Sequence, residues 1–245
     1  VNLLLSGPAG GVIGSAYLGK IIGHPNVISF DMGGTSCDIS LIKNATPALS
    51  TPINATSTHC KFEGWDVLIP FIDIHTIGAG GGSIAWIDKG GMVHVGPESA
   101  GATPGPACFN KGGSQPTVTD ANVVLGFIDP DYYLGGEIRL DAAKAKEAVN
   151  SLARSLNISG IQAADGIFQI SNTNMLNGIR VVSVEKGNDP RDFSLLSFGG
   201  AGACHATAIM ERLEIDRVII PPTAAAFSAF GLLCTDLRRD FVSTV

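Results

Sequence analysis

The chain predicts an α/β fold, and three observations carry that expectation. Strand-like apolar runs alternate with runs whose apolar residues recur every three or four positions. Two of the strand-like runs, 26–30 and 194–198, lead directly into glycine clusters. The 245 residues are 45% hydrophobic and 16% charged, enough to bury a substantial core. No internal repeat is visible.

In chain order, a glycine-rich start at 6–14 leads into an apolar helix expected near 15–22, ended by Gly23 and Pro25. The β-branched run 26–30 and the alternating run 39–42 predict an antiparallel hairpin with Gly33 and Gly34 at its turn. Residues 44–58, rich in Thr, Ser, Asn and Pro, read as loop or irregular strand. An apolar run at 67–77 is followed by a glycine cluster and a hairpin pairing 84–87 with 92–95. Between 96 and 122 glycine and proline are too dense for helix or central strand, yet charges are few, which predicts an ordered, functional loop. Asp141 caps an expected helix carrying Ala142, Ala145, Val149, Leu152 and Leu156 on one face. A second helix spans about 162–186 and ends at Gly187. A strand at 194–198, a helix at 203–213, a short buried strand at 218–220 and a small-residue helix at 224–233 complete the series.

The segment Asp31-Met-Gly-Gly-Thr-Ser-Cys-Asp38 sets an acid, two glycines, a hydroxyl and a second acid around one turn. That is the composition of a Mg²⁺–nucleotide phosphate hairpin. Gly33, Gly34 and Thr35 would approach the phosphates, since glycine permits φ > 0 and close contact with an anion. Asp31 and Asp38 would hold Mg²⁺ through water, an ion that keeps much of its hydration shell. A plain hairpin with two solvated acids is the alternative. The second cluster, Gly199, Gly200 and Gly202, sits between a strand and a helix, where backbone closely approaches a nucleotide. It does not fit the dinucleotide fingerprint, because Ala203, Cys204 and His205 stand where the third glycine would be, and no G-x-x-x-x-G-K-[ST] occurs.

Other residues carry chemistry only conditionally. Asp73 and His75, two apart on an expected strand, would share a face and suit a divalent ion or substrate polarisation. They serve equally as a loop cap and a hydrogen-bonded histidine. Gly80, Gly81 and Gly82, within 78–83, could cradle phosphate by their N–H groups or form a tight loop. Cys108, set among prolines with no adjacent base, reads as a buried structural cysteine. Asp120 reads as a helix cap. His205 is expected as a partly exposed helix residue, and the charge run 185–192 as a solvated helix end or a contact with a missing lobe.

The net charge of −6 and the lack of a dense basic block argue against nucleic acid, and no apolar run reaches the length of a membrane span. Five cysteines, at 37, 60, 108, 204 and 234, are odd in number and widely spaced, without C-x-x-C, which fits a reducing cytoplasm. The opening residues lack the charged n-region and cleavage site of a signal peptide. Both ends read as cut from a longer chain.

The order of the two glycine sites resembles the phosphate and adenosine elements of the actin-like ATPase superfamily, with its sugar kinases, Hsp70 and actin. The resemblance narrows on Ser6-Gly-Pro-Ala-Gly-Gly11, Phe30-Asp-Met-Gly-Gly-Thr35, the run 73–83, Val95-Gly-Pro-Glu-Ser-Ala-Gly101, Pro104-Gly-Pro-Ala-Cys108, Pro116-Thr-Val-Thr-Asp-Ala-Asn122 and Asp189-Pro-Arg-Asp192. These are similar, in order and over almost the whole chain, to the hydantoinase A/oxoprolinase family. Cys37 departs from that pattern, where threonine is commoner, as does Ala203-Cys204, where the family shows Pro-Leu or Gly-Gln.

The resemblance implies a ribonuclease-H-like lobe of a larger two-lobed protein, one ATPase domain over 1–245 with its core at about 1–43 and 160–245 and a Gly/Pro-rich insertion at about 44–159. It implies ATP and Mg²⁺ as cofactors, and hydrolysis of a cyclic amide (a hydantoin, N-methylhydantoin or 5-oxoproline type) through carbonyl phosphorylation. Asp31, Asp73 and His75 would then be catalytic. A hydantoinase B-type subunit or domain is the implied partner. Two alternatives share the nucleotide machinery: a subunit of an ATP-dependent ketone carboxylase, and a nucleotide-binding switch without turnover.

Overall fold

The computed structural model describes residues 6–50, 61–62, 65–66 and 71–235. Helix α1 (Ser6–Ile21) precedes strands β1 (Val27–Met32) and β2 (Cys37–Lys43). Short strands follow: β3 (Thr46–Pro47), β4 (Leu49–Ser50), β5 (Lys61–Phe62), β6 (Trp65–Asp66), β7 (Phe71–Ile72) and β8 (His75–Ile77). Strands β9 (Ser83–Ile87) and β10 (Val93–Ser99) form a hairpin, and α2 (Val118–Val124), α3 (Ala142–Leu156) and α4 (Gly160–Val182) pack side by side. Strand β11 (Ser194–Phe198), α5 (Ala203–Leu213), β12 (Val218–Ile219) and α6 (Phe227–Leu233) close the series.

The central sheet runs β12-β11-β1-β2-β3, with β8 also pairing β2. Strands β12, β11 and β1 are parallel, whereas β2 returns antiparallel to β1. Side chains alternate across the sheet. Ile28, Phe30 and Met32 of β1, with Cys37, Ile39 and Leu41 of β2, face the larger core that includes Ala164, Ile167, Met175 and Ile179 of α4 and Ile209 of α5. Val27 and Ile42 face the other way, with Val12 of α1 and Phe227 of α6. Each fully buried side chain of this size contributes about 1.5–3 kcal/mol relative to exposure. The sheet thus lies between two helical layers, as the α/β reading requires.

From the Gly/Pro-rich stretch 44–159, strands β3 and β8 both add to β2. The apolar run 67–77 lies partly outside the described residues, as does most of 44–58. The expectation for the first helix needs correcting, since α1 begins at Ser6 and takes in Gly7, Gly10, Gly11 and Gly14. The reason is tertiary. A Cβ on Gly10 would lie 2.5 Å from the Ser228 carbonyl oxygen, and one on Gly14 would lie 2.9 Å from the Gly231 Cα. Glycine lets α1 and α6 touch backbone to backbone, and packing overrides its poor helix propensity.

Helix α4 starts at a capping box, in which the Ser159 hydroxyl accepts from the Gln162 amide at 3.2 Å and the Gln162 side chain accepts from the Ser159 amide at 3.0 Å. It ends four residues before the expected limit, in a 3-10 turn at Val184–Lys186 closed by Gly187 with φ of 76°. Asp141 caps α3 as expected, accepting from the Lys144 amide at 3.0 Å. The small-residue run 224–233 divides into a 3-10 turn, Ala224–Ala226, and α6. The strand expected at 218–220 is half-buried β12, at the edge of the sheet.

Candidate active site

The hairpin of β1 and β2 sets Asp31 opposite Asp38, and Met32 opposite Cys37. Both acids lie on the α1/α6 face, because they alternate with the residues of the larger core. The loop between them closes where the Gly33 amide donates to the Ser36 carbonyl at 3.0 Å. The amides of Gly34, Thr35 and Ser36 have no hydrogen-bond partner among the described residues. This loop lies at the carboxyl ends of parallel strands β1 and β11, the edge at which α/β sheets bind ligands.

The second glycine cluster meets the first there. Gly199, φ 80°, follows β11 so closely against β1 that a Cβ would lie 2.4 Å from the Met32 carbonyl oxygen and 2.6 Å from Asp31 Oδ1. The Ala201 amide donates to the Met32 carbonyl at 3.0 Å. A Cβ on Gly202 would lie 2.5 Å from the Phe198 carbonyl, so the chain turns tightly into α5. Helix α1 points its first turns at the same edge: Gly19 packs on Val27 at the start of β1, while Gly11 packs on the Phe198 ring at the end of β11. Two helix N-termini therefore converge on the glycine turns, which favours an anionic ligand.

The glycines of the site divide by what requires them. Gly33 and Gly34 do not adopt φ > 0, contrary to expectation, and a Cβ on Gly34 or Gly200 would meet nothing within 4 Å. Space is open at these positions. Gly80, Gly81 and Gly82 serve a different end from the expected phosphate cradle. A Cβ on Gly80 would lie 2.6 Å from the Gly34 carbonyl carbon and the Thr35 amide nitrogen. The Gly81 amide donates to the Gly33 carbonyl at 3.0 Å, the Gly82 amide to the Gly34 carbonyl at 2.6 Å, and the Gly80 amide to Ser83 Oγ at 2.9 Å. With their N–H groups already engaged, these three glycines brace the hairpin loop 33–36. Thr119 of α2 holds the brace, donating its amide to the Gly81 carbonyl at 2.7 Å and its hydroxyl to the same oxygen at 2.8 Å.

Neither Asp31 nor Asp38 pairs with a basic side chain among the described residues. Asp31 Oδ2 accepts from the Ser228 hydroxyl at 3.1 Å, and Asp38 Oδ1 from the Thr76 hydroxyl at 2.5 Å. Burial holds the Asp31 carboxyl above its usual range; the Ser228 hydrogen bond opposes that and the Asp38 charge adds to it. Two facing carboxylates without a counter-cation, beside open backbone amides, fit a hard divalent ion that takes oxygen ligands and brings its own water and phosphate. The donor set does not suit zinc, since no group of three His, Cys, Asp or Glu converges among the described residues.

Asp73 and His75 do not join this pair. Asp73 precedes β8 and so does not share a strand face with His75; its carboxylate pairs with Lys186 beyond the end of α4. His75 stands opposite Ile39, on the α4 face of the sheet, while Thr76 faces Asp38. The structure thus brings together Asp31, Asp38, Gly33, Gly34, Thr35, Gly199, Gly200 and Gly202, and leaves Asp73 and His75 outside the group.

His205 departs from its expected exposure, being fully buried. Its Nδ1 lies 2.7 Å from Asn172 Oδ1 and its Nε2 3.3 Å from Asn122 Nδ2, with the Phe168 ring stacked at 5.0 Å. This geometry matches a neutral ring that donates from Nδ1 and accepts at Nε2, and burial lowers its pKa to about 4. Cys108 is buried as expected. Burial first, then the neighbouring Asp120 carboxylate, push its thiol well above the ordinary range, which is the reverse of an activated nucleophile. Ser228 and Thr76 are functional candidates that sequence reasoning missed. Thr76 had a detectable signal in the two-residue alternation of its strand, whereas Ser228 lies 197 residues from Asp31 and had none.

The pattern of the Hydantoinase/oxoprolinase family matches residues 1–241. The chain is 44% identical over 246 residues to the caprolactamase subunit alpha of Pseudomonas jessenii, covering 100% of this chain and 34% of that one. It is 37% identical over 255 residues to 5-oxoprolinase 1 of Arabidopsis thaliana, covering 97% and 19%. The fold superposes on the nucleotide-free structure of an acetone carboxylase, described as ATP-dependent, with a TM-score of 0.81 and 33% identity over 92% of this chain and 31% of that one. The chain therefore spans about a third of the length of two of these relatives and about a fifth of the other. On the extent of that match and on the shared fold, the chain belongs to the hydantoinase/oxoprolinase family.

Proposed function

We propose that this chain is the nucleotide-binding part of an ATP-dependent enzyme that opens cyclic amides. The observation that carries the reading is the facing pair Asp31 and Asp38 beside the open amides of Gly34, Thr35 and Ser36. Family membership and the similarity to a caprolactamase subunit and a 5-oxoprolinase support the amide as acceptor.

In this reading ATP would supply activation: its γ-phosphoryl group passes to the amide oxygen with release of ADP, water adds to the carbonyl carbon and the ring nitrogen leaves with a proton, and a second water hydrolyses the resulting acyl phosphate to the open-chain acid and inorganic phosphate. Asp31 and Asp38 are the residues that would hold Mg²⁺, whose charge would offset that of the phosphates. The amides of Gly34 to Ser36 take phosphate oxygens, and the open backbone at Gly200 admits the adenosine side. Gly80, Gly81 and Gly82 keep the hairpin rigid, so that its amides are preorganised rather than ordered at each turnover. A B-type subunit or domain completes the site, in keeping with relatives that are named as subunits.

The test is ATP hydrolysis by the full-length protein with its partner, with and without a panel of lactams, hydantoins and 5-oxoproline. Stimulation by one of them establishes the acceptor, and Asp31→Asn should abolish the stimulated turnover. Normal turnover in Asp31→Asn would overturn the assignment of that acid. The similarity to acetone carboxylase favours a second reading, phosphorylation of a ketone enolate or of bicarbonate. Stimulation by ketone with bicarbonate, and by no amide, would select it.

A further inference from the structure

The two acids of the site are held in the same way from two different elements. Ser228 reaches Asp31 Oδ2 from α6, and Thr76 reaches Asp38 Oδ1 from β8. Each contact uses one carboxylate oxygen, and the remaining oxygens, Asp31 Oδ1 and Asp38 Oδ2, accept no hydrogen bond among the described residues. We propose that Ser228 and Thr76 are the positioning residues of the acid pair, orienting both carboxylates toward the nucleotide's divalent cation without neutralising them.

The choice of a hydroxyl follows from electrostatics. A lysine or arginine in either place would form an ion pair, cancel the negative potential and compete with the cation. A hydroxyl donates one hydrogen bond, fixes the rotation of the carboxylate and leaves its charge in place. The backbone around Ser228 is built for this approach. A Cβ on Gly11 would lie 2.9 Å from Ser228 Oγ, and one on Gly10 would lie 2.5 Å from the Ser228 carbonyl oxygen. Glycines of α1 thus clear the path by which α6 delivers its hydroxyl to β1. Thr76 needs no such clearance, because strand pairing already sets it opposite Asp38.

This inference rests on the nucleotide reading of the same site, and calorimetric titration of ADP into the full-length protein separates the two. Wild type should bind ADP more tightly with Mg²⁺ than with EDTA; equal binding, or none, would overturn the nucleotide–metal reading itself. Given a Mg²⁺-dependent wild type, Ser228→Ala should weaken Mg²⁺–ADP binding by about tenfold to a hundredfold, the loss of one hydrogen bond to a charged group. ADP binding in EDTA should stay within about twofold of wild type, since the adenosine side is untouched. Ser228→Thr, which keeps the hydroxyl, should recover part of the Mg²⁺ effect. Thr76→Val should repeat the pattern and Thr76→Ser restore it, so a variant that failed to fold would leave the other acid to decide. Equal weakening with and without Mg²⁺ would reduce both hydroxyls to packing, and unchanged binding in both alanine and valine variants would overturn the proposal.

Discussion

Asp120 shows how much one buried side chain can organise. Its carboxylate accepts from the Ala107 amide at 3.1 Å, the Cys108 amide at 2.8 Å, the Thr117 amide at 3.1 Å and the Thr117 hydroxyl at 2.7 Å. It closes a capping box on α2 and at the same time ties the proline-rich stretch around Cys108 to that helix. Asp120→Asn presents an NH₂ to a nest of donors and leaves at least one buried and unsatisfied, so stability should fall by about 2–3 kcal/mol in urea unfolding. His205 yields a pH dependence. Burial depresses its folded pKa to about 4, below the unfolded value near 6.5. The unfolded state therefore binds the extra proton first. This contribution is complete above about pH 6.5 and is lost as pH falls toward 4, by roughly 3 kcal/mol. Comparing urea midpoints between pH 7 and pH 4.5 should show a shallower decline in His205→Gln than in wild type; parallel curves would refute the buried neutral ring.

At the scale of elements, glycines in helices part into two kinds. Gly231 of α6 sits so close to α1 that a Cβ would overlap the Gly10 carbonyl oxygen at 1.8 Å. Alanine is the better helix former by about 1 kcal/mol, yet Gly231→Ala forces the helices apart and should destabilise by about 2 kcal/mol or more. Because Ser228 rides on the same helix, Mg²⁺–ADP affinity should fall with it. Gly166 of α4 is the counter-case, with nothing within 4 Å of a Cβ. Gly166→Ala should raise stability by about 0.5–1 kcal/mol, read as a higher thermal midpoint. The opposite signs of these two substitutions test whether packing or propensity governs each helix.

Across the whole molecule, one sheet edge gathers segments that are remote in sequence: the hairpin loop 33–36, the bracing loop 80–82, the turn 199–202 and helix α6. A ligand bound there links elements from both helical layers and should stabilise the fold as a unit. Mg²⁺–ADP at a hundred times its dissociation constant should add about 2.7 kcal/mol, seen as a raised thermal midpoint of the full-length protein. Chelation of the metal should remove most of that gain. A shift unaffected by EDTA would argue that Asp31 and Asp38 do not act through a cation. No described helix is long and apolar enough to cross a membrane.

By itself the sequence determined the α/β class, the hairpin that places Asp31 opposite Asp38, the strand at 194–198 with its glycine turn, and the cap at Asp141, whereas α2 is capped by Thr117 and takes Asp120 as its third residue instead of its cap. These are local properties, set by side-chain alternation, turn residues and short-range hydrogen bonds. Only the tertiary structure decided that Gly80 to Gly82 brace the hairpin, that Asp73 pairs with Lys186 away from the acids, that His205 is buried, and that Ser228 meets Asp31. Each of these depends on which distant backbone fills the space beside a residue. Residue type is encoded along the chain, but close approach is a property of packing between elements that sequence spacing does not measure.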